Sequence, residues 1–389
     1  MSSRLRSRFI LLLLVIILVL AFAVSSSFAN SAKSDDGPQT VVDVELLGMV
    51  TFDTGYTYED TEVGGLSGIT YDEAREVYYA LSDDRSQINL ARYYSVDIDV
   101  SDGSLDAGDV TFVAVTTLRD KHGNPYEPGT IDSEAIEMTR PGHLYISSEG
   151  DANSDPVVDP FVSRFNPSGK LNRALPVPDK FLPDGDETVG IRDNLAFESL
   201  TSAPDFWSLY TAVENALVQD GPKSTLADYS PSRLLEYSLK RHRPGSEYVY
   251  MVDPIPFDSN PPGIFADNGL VDLQAIDNFG TFLAMERSFA VGVGNTVRIF
   301  ETSTDGATDV SDIFALDPDG GPPAVYDPMT KELVVDIVDL GVDPDNLEAM
   351  SFGPMLPDGR MLLILASDNN FNPSQITQFI AIAVELGPA

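Results

Sequence analysis

The sequence contains no cysteine. Disulfides, thiolate zinc sites, iron–sulfur clusters and cysteine nucleophiles are therefore excluded together. Histidine is almost as scarce. His122, His143 and His242 stand far apart with no HExxH pair, so a histidine-rich metal centre has no ligand set, although one imidazole remains available as a base. Tryptophan occurs once, as Trp207, opening a strand-like run where packing is expected rather than a sugar platform. Positive charge is short too: 24 Lys and Arg face 61 Asp and Glu, a formal charge of −37. Such a surface repels phosphate backbones and anionic lipid, so nucleic acid is not an expected partner. There is no GxSxG elbow, P-loop or SxxK motif. The composition favours a hard cation held by carboxylates, Ca²⁺ first.

Long apolar runs are confined to the start of the chain. Arg4, Arg6 and Arg8 precede a nearly unbroken apolar stretch from Phe9 to Val24, and Ser27-Phe28-Ala29 places small residues before a cut after Ala29. Residues 1–29 read as a signal peptide, with a retained anchor as the alternative. Residues 30–40 are polar and are expected to form a short disordered lead-in. The mature chain is then secreted, or periplasmic at the cell envelope, with no stable membrane span once the signal is cut. It is more acidic still, with 21 basic against 61 acidic side chains.

Helix signals are nearly absent beyond this point. Short runs rich in Val, Ile, Tyr and Phe are separated by Gly, Pro, Asp and Asn, with 29 Gly and 27 Pro in all. This pattern predicts an all-β protein. Five segments repeat a strand, a tight turn and a second strand ending in an acid: Leu66–Asp84, Ser133–Glu149, Phe197–Glu214, Leu273–Glu286 and Leu347–Asp368. Two further strand-like runs follow each of the first four. Four antiparallel strands per repeat predict a β-propeller. The fifth repeat has one strand left, Ile376–Leu386, and an orphan strand, Val41–Val50, precedes the first. Pairing these two closes the ring and removes its free edges. Five blades are expected over 41–389. The long stretch from Arg287 to Leu347 leaves six as the alternative.

Aligned on their acids, the second strands end in Asp83, Glu149, Glu214, Glu286 and Asp368. The first strands begin with Ser67, Glu134, Glu198, Gln274 and Glu348. Antiparallel neighbours bring the start of one strand beside the end of the other, so both columns are expected at one channel mouth. Glu134, Glu149, Glu198, Glu214, Glu286, Glu348 and Asp368 are the candidate metal ligands. Arg85, Arg192 and Arg287 lie near them in sequence. Like charges in a partly dehydrated pocket need protons, basic partners or a cation. A structural salt-bridge ring and a Ca²⁺-type site both satisfy this. Arg287 is expected to bond Glu214 or Glu348.

Several of these stretches resemble the phytase-like family, described as having esterase-like activity of phytase. They are Asp132-Ser133-Glu134-Ala135-Ile136, Tyr145–Glu149, Arg192-Asp193-Asn194, Phe197-Glu198-Ser199-Leu200, Leu283–Phe289, Asp345–Met350 and Ser367–Phe371. The chain departs where Phe197 precedes Glu198, since the family more often has Gly there. The resemblance implies a secreted β-propeller and hydrolysis of phosphate or carboxylic esters, and no catalytic residue carries over. Two functions are then expected. One is a metal-dependent ester hydrolase, in which Arg192 and Arg287 bind the anionic substrate. The other is a non-catalytic exported propeller that presents its mouth to an extracellular or envelope partner.

Overall fold

The computed structural model describes residues 37–139, 142–318 and 320–389. The expected signal peptide, and residues 30–36 of the lead-in, lie outside the described residues. The rest forms five four-stranded antiparallel sheets and one two-stranded ribbon, Thr57–Tyr58 with Thr61–Glu62. The sheets are five blades. In blade 1 the strands run Leu66–Asp72, Val77–Ser82, Arg92–Ile98 and Val110–Thr117, and blade 2 runs from Ser133–Thr139 to Leu171–Ala174. Blade 3 runs from Thr201–Ser202 to Arg243–Val252, and blade 4 from Ala266–Ala275 to Thr330–Asp336. In blade 5, Leu347–Met355, Met361–Ser367 and Ile376–Pro388 are completed by Gln39–Asp53. The first strands pack one on the next around the circle, with that of blade 5 against that of blade 1.

Period-two alternation explains why the blades stack. Tyr78 and Ala80 face the core shared with blade 5, while Tyr79 and Leu81 face the core shared with blade 2. Both sides of each sheet are buried, so strands read as apolar runs rather than as one wet and one dry face. Polar side chains lock the inner strands together. Glu137 of blade 2 accepts from Thr70 of blade 1 (3.1 Å) and from the Ser202 backbone of blade 3 (3.0 Å). Asp272 of blade 4 accepts from the Met350 backbone of blade 5.

Among the described residues no sixth blade occupies the stretch before Leu347. Blade 4 uses Gly294–Ser303 and Thr330–Asp336, and the residues between them form an insertion held by blade 3. Buried Arg233 bonds Asp220 through Nε (2.6 Å) and Nη2 (2.9 Å), and its Nη1 reaches Glu247 (2.9 Å). It also donates to the carbonyls of Val310 and Phe314, while Lys180 bonds those of Ser311 and Ile313.

The ring closes as the repeat pattern requires. The N-terminal strand pairs with the last one from Val41 opposite Leu386 to Val50 opposite Phe379. Deleting residues 41–50 should therefore expose the whole edge of Ile376–Pro388. The expected result is a chain that aggregates on refolding, measured by light scattering. A monomeric deletion variant with an unchanged melting temperature would show that closure contributes nothing.

A carboxylate cluster at the channel mouth

Four blades enter the mouth through the same local device, an opening pair followed by a one-residue register shift in the first strand, and in blade 3 the opening pair is an isolated bridge before the strand. The pairs are Leu66 with Ser82, Ser133 with Ser148, Phe197 with Val213, Leu270 with Glu286 and Leu347 with Ser367. The first-strand residues after these pairs are Ser67, Glu134, Glu198, Val271 and Glu348. Those that follow on the second strands are Asp83, Glu149, Glu214, Arg287 and Asp368. A bulge re-aims the side chain it carries and recurs where a rim is built.

This register corrects the sequence alignment in blade 4. Glu286 and Gln274 were expected at the mouth, and Arg287 and Val271 hold those positions instead. A one-residue slip turns a strand side chain to the opposite face. Glu286 accordingly points toward blade 3. It accepts from Tyr250 Oη and Asn268 Nδ2, each at 3.0 Å, and pairs with Arg298 and Lys331. Gln274 lies deeper, spanning Thr201 of blade 3 and the Phe352 backbone of blade 5. Blade 4 thus contributes a cation where the other four contribute an acid.

The other six candidate acids do come together, joined by Asp83 and Asp132. Asp132, Glu134 and Glu149 bring one oxygen each within 4.8 Å of one another, and all three are buried. The Ala196 backbone N–H bonds Glu149, while Glu149 and Glu198 share a carboxyl–carboxylate hydrogen bond. Gly269, opposite Arg287, is required here. A Cβ on it would lie 2.0 Å from Glu214 Oε1. Phe197, which stands where the family favours Gly, fits without strain, as its ring packs 5.4 Å from that of Phe181.

Two arginines partly neutralise the cluster. Arg85 Nε donates to Asp132 Oδ1 (2.7 Å), and its Nη2 donates to Asn194 Oδ1 while lying 2.5 Å from Asp132 Oδ2 as an ion pair. Arg287 Nη2 lies 2.8 Å from Glu348 and 3.8 Å from Glu214, as the sequence suggested. Burial opposes the Arg287 charge, but Glu348, Asp267 and Glu214 outweigh it and raise the guanidinium pKa. Arg192 pairs with none of these acids. Its Nε and Nη2 bond the carbonyls of Ala216 and Gly221, and it lines an adjoining pocket with Asp193 and Lys223.

Among the described residues eight carboxylates face two guanidiniums, and burial makes several of the acids hard to ionise. Burial, then Asp132, Asp83 and Glu149, push Glu134 well above the carboxylate range. Burial and then Glu149 do the same to Glu198, and burial with Asp368 does so to Asp83. Glu149 is raised to about 7 and Glu214 to about 8, mainly by burial. Asp132 is raised to about 6 by burial, against the opposing pull of Arg85.

These shifts fix the sign of a pH dependence. Between the unfolded carboxylate pKa and these raised values, the folded protein holds more protons than the unfolded chain. Stability without cation must then fall as pH rises, by about 1.4 kcal/mol per pH unit for each group held protonated. Urea unfolding in chelator should show the midpoint dropping from pH 5 to pH 8. A midpoint that is flat or rises over this range would rule out buried, raised carboxyls.

A ring-closed propeller with a carboxylate-lined mouth is the class that fold and site define. Residues 61–371 match the model of the Phytase-like family, described as "Esterase-like activity of phytase". The chain belongs to that family. An uncharacterized secreted protein of Arthroderma benhamiae is 26% identical over 147 residues, covering 32% of this chain and 27% of the relative. The chain thus spans about a quarter of that relative's length. Among solved structures, a thermostable family-43 glycoside hydrolase aligns with TM-score 0.45 at 12% identity, covering 85% of this chain and 92% of that one. A gluconolactonase from Xanthomonas campestris aligns with TM-score 0.34 at 12% identity, covering 90% and 98%. No helix among the described residues is long and apolar enough to cross a membrane.

Proposed function

We propose that this chain is an exported hydrolase of phosphate or other esters that works at the acidic mouth with a bound hard cation, Ca²⁺ in the first place. The observation that carries this reading is the convergence of Asp132, Glu134 and Glu149 within 4.8 Å. The donors fit such an ion. They are carboxylate oxygens alone, and Glu198 beside them adds to a coordination demand of six to eight oxygens. Bound there, the cation would hold an anionic substrate and lower the pKa of a water.

The chain's own residues supply the rest. Arg85 keeps Asp132 oriented through one hydrogen bond and an ion pair and leaves Glu134 and Glu149 without an ion pair among the described residues. Arg192 and Lys223 place positive charge in the pocket beside the mouth, and Arg287 does so across it. These are the substrate-binding candidates for a small ester or phosphate.

Hydrolysis of p-nitrophenyl phosphate and p-nitrophenyl acetate, each with Ca²⁺ and with chelator, tests the proposal. Activity that disappears with chelator and returns with Ca²⁺ is expected. Stability that responds to Ca²⁺ without any hydrolysis would instead favour the non-catalytic propeller with an extracellular or envelope partner.

A further inference from the structure

On the propeller face opposite the acidic mouth, one pocket is lined by basic side chains. First strands end there and the turns between third and fourth strands project there. Between blades 2 and 3, strand ends and turns of both blades form a pocket of about 330 Å³, lined by His143, Tyr145, Arg164, Trp207, Lys240 and His242 among others. No acid lines it. Two of the three histidines in the chain meet here, and the turn reads Lys240-Arg241-His242-Arg243.

We propose that this pocket binds a tetrahedral oxyanion of the phosphate class, either free or as a monoester, with Arg164, Lys240 and the two histidines as donors and Trp207 as the wall. The inference is independent of the reading of the mouth.

Three observations carry it. First, the cations are unpaired. Elsewhere Arg85, Arg92, Arg233, Arg287 and Arg298 each bond a carboxylate. Among the described residues no carboxylate lies within ion-pair distance of Arg164, Arg173, Lys240, His143 or His242. Arg164, Lys240 and the two imidazoles gather in one pocket without a carboxylate partner, which leaves their charge for an external anion to meet. Second, donors are left over. Arg164 Nε and His242 Nδ1 are shielded from solvent and have no hydrogen-bond partner among the described residues. Buried polar atoms are normally satisfied, so these two show that the pocket wall is not closed by the protein's own hydrogen bonds. Third, the local field is positive. Burial, then Arg164 and His242, lower the pKa of His143. Burial, then Arg173 and Arg164, lower that of His242.

Trp207 was expected to pack inside. It is 58% exposed instead, with Lys240 Nζ 5.1 Å from its ring centroid. A flat wall with a long cation hinged over it can hold the carbon skeleton of a monoester while the guanidinium and imidazoles take its oxygens. Donors arriving from two blades match an anion that presents oxygens in several directions, unlike a planar carboxylate.

The molecule carries its own probes. Trp207 is the sole tryptophan, so its emission reports the pocket alone, and His122 is an internal control outside it. Metal-free protein is titrated with inorganic phosphate, glucose 6-phosphate, acetate and chloride at matched ionic strength. Trp207 emission and histidine ring NMR signals are followed. A saturable response to phosphate is expected, with His143 and His242 shifting and His122 still. Arg164→Met should weaken binding about tenfold or more, the scale of one charge-assisted hydrogen bond. Lys240→Gln, at an exposed position, should weaken it several-fold and decides the matter if the first variant does not fold. Tighter binding of glucose 6-phosphate assigns the monoester as ligand, and equal affinity assigns free phosphate. A non-saturating response matched by chloride, or wild-type affinity in both variants, overturns the site.

Discussion

Addition of Ca²⁺ to chelator-treated protein at pH 7.5 is expected to raise the melting midpoint, and to keep raising it as concentration grows past saturation. A ligand bound only by the native state stabilises by about 2.7 kcal/mol at a hundredfold excess over its Kd. That corresponds to a shift of a few degrees in a domain of this size. The response should be weaker at pH 5, where protons occupy Glu149, Glu214 and their neighbours and must be displaced. Glu134→Gln and Glu149→Gln remove one charge each from the three-carboxylate group and should each abolish most of the shift. Glu286→Gln should leave it intact, because Glu286 faces Tyr250 and Lys331 rather than the mouth. A midpoint indifferent to Ca²⁺ and chelator at both pH values would reduce the cluster to a salt-bridge ring.

Replacing Arg287 is expected to have the largest effect of any single substitution at the mouth. Removing one partner of a buried pair strands the other, at about 3–5 kcal/mol. Arg287 serves Glu348 and Glu214 together, so Arg287→Met should lower the urea midpoint strongly at pH 8. At pH 5 the loss should shrink, since Glu214, raised to about 8, is already neutral there. Arg287→Lys should recover only part, since an ammonium cannot reproduce the planar fork. Equal losses for Met at pH 5 and pH 8 would show that Arg287 acts by packing and not by charge.

The architecture was legible because it rests on repetition. Strand runs such as Phe161–Phe165 stand out by composition, and the missing fourth strand of blade 5 pointed to its N-terminal partner. Register was less legible. In blade 4 the motif LAMER offers an acid and a base side by side, and an alignment on acids selects Glu286. The distinguishing feature is the bulge after Leu270, which depends on pairing across the sheet and has no local sequence mark. Asp132 was missed for a related reason. It precedes its strand, and only the approach of blade 1 through Arg85 makes it part of the mouth. The sequence-stretch Asp132-Ser133-Glu134 did hold the clue, with two acids flanking a strand start. Trp207 misled because exposure is decided by how far a turn projects, which composition does not report.

The pairing of Gln39–Asp53 with Ile376–Pro388 also dictates the order of assembly. Four blades are continuous in sequence and can form as each segment becomes available. The fifth joins the first strand of the fold to the last, so it carries the greatest loop-closure cost and must form late. Until then every partial array keeps two raw edges. Pulsed hydrogen exchange during refolding should find amides of 39–53 protected last, after those of blades 1 to 4.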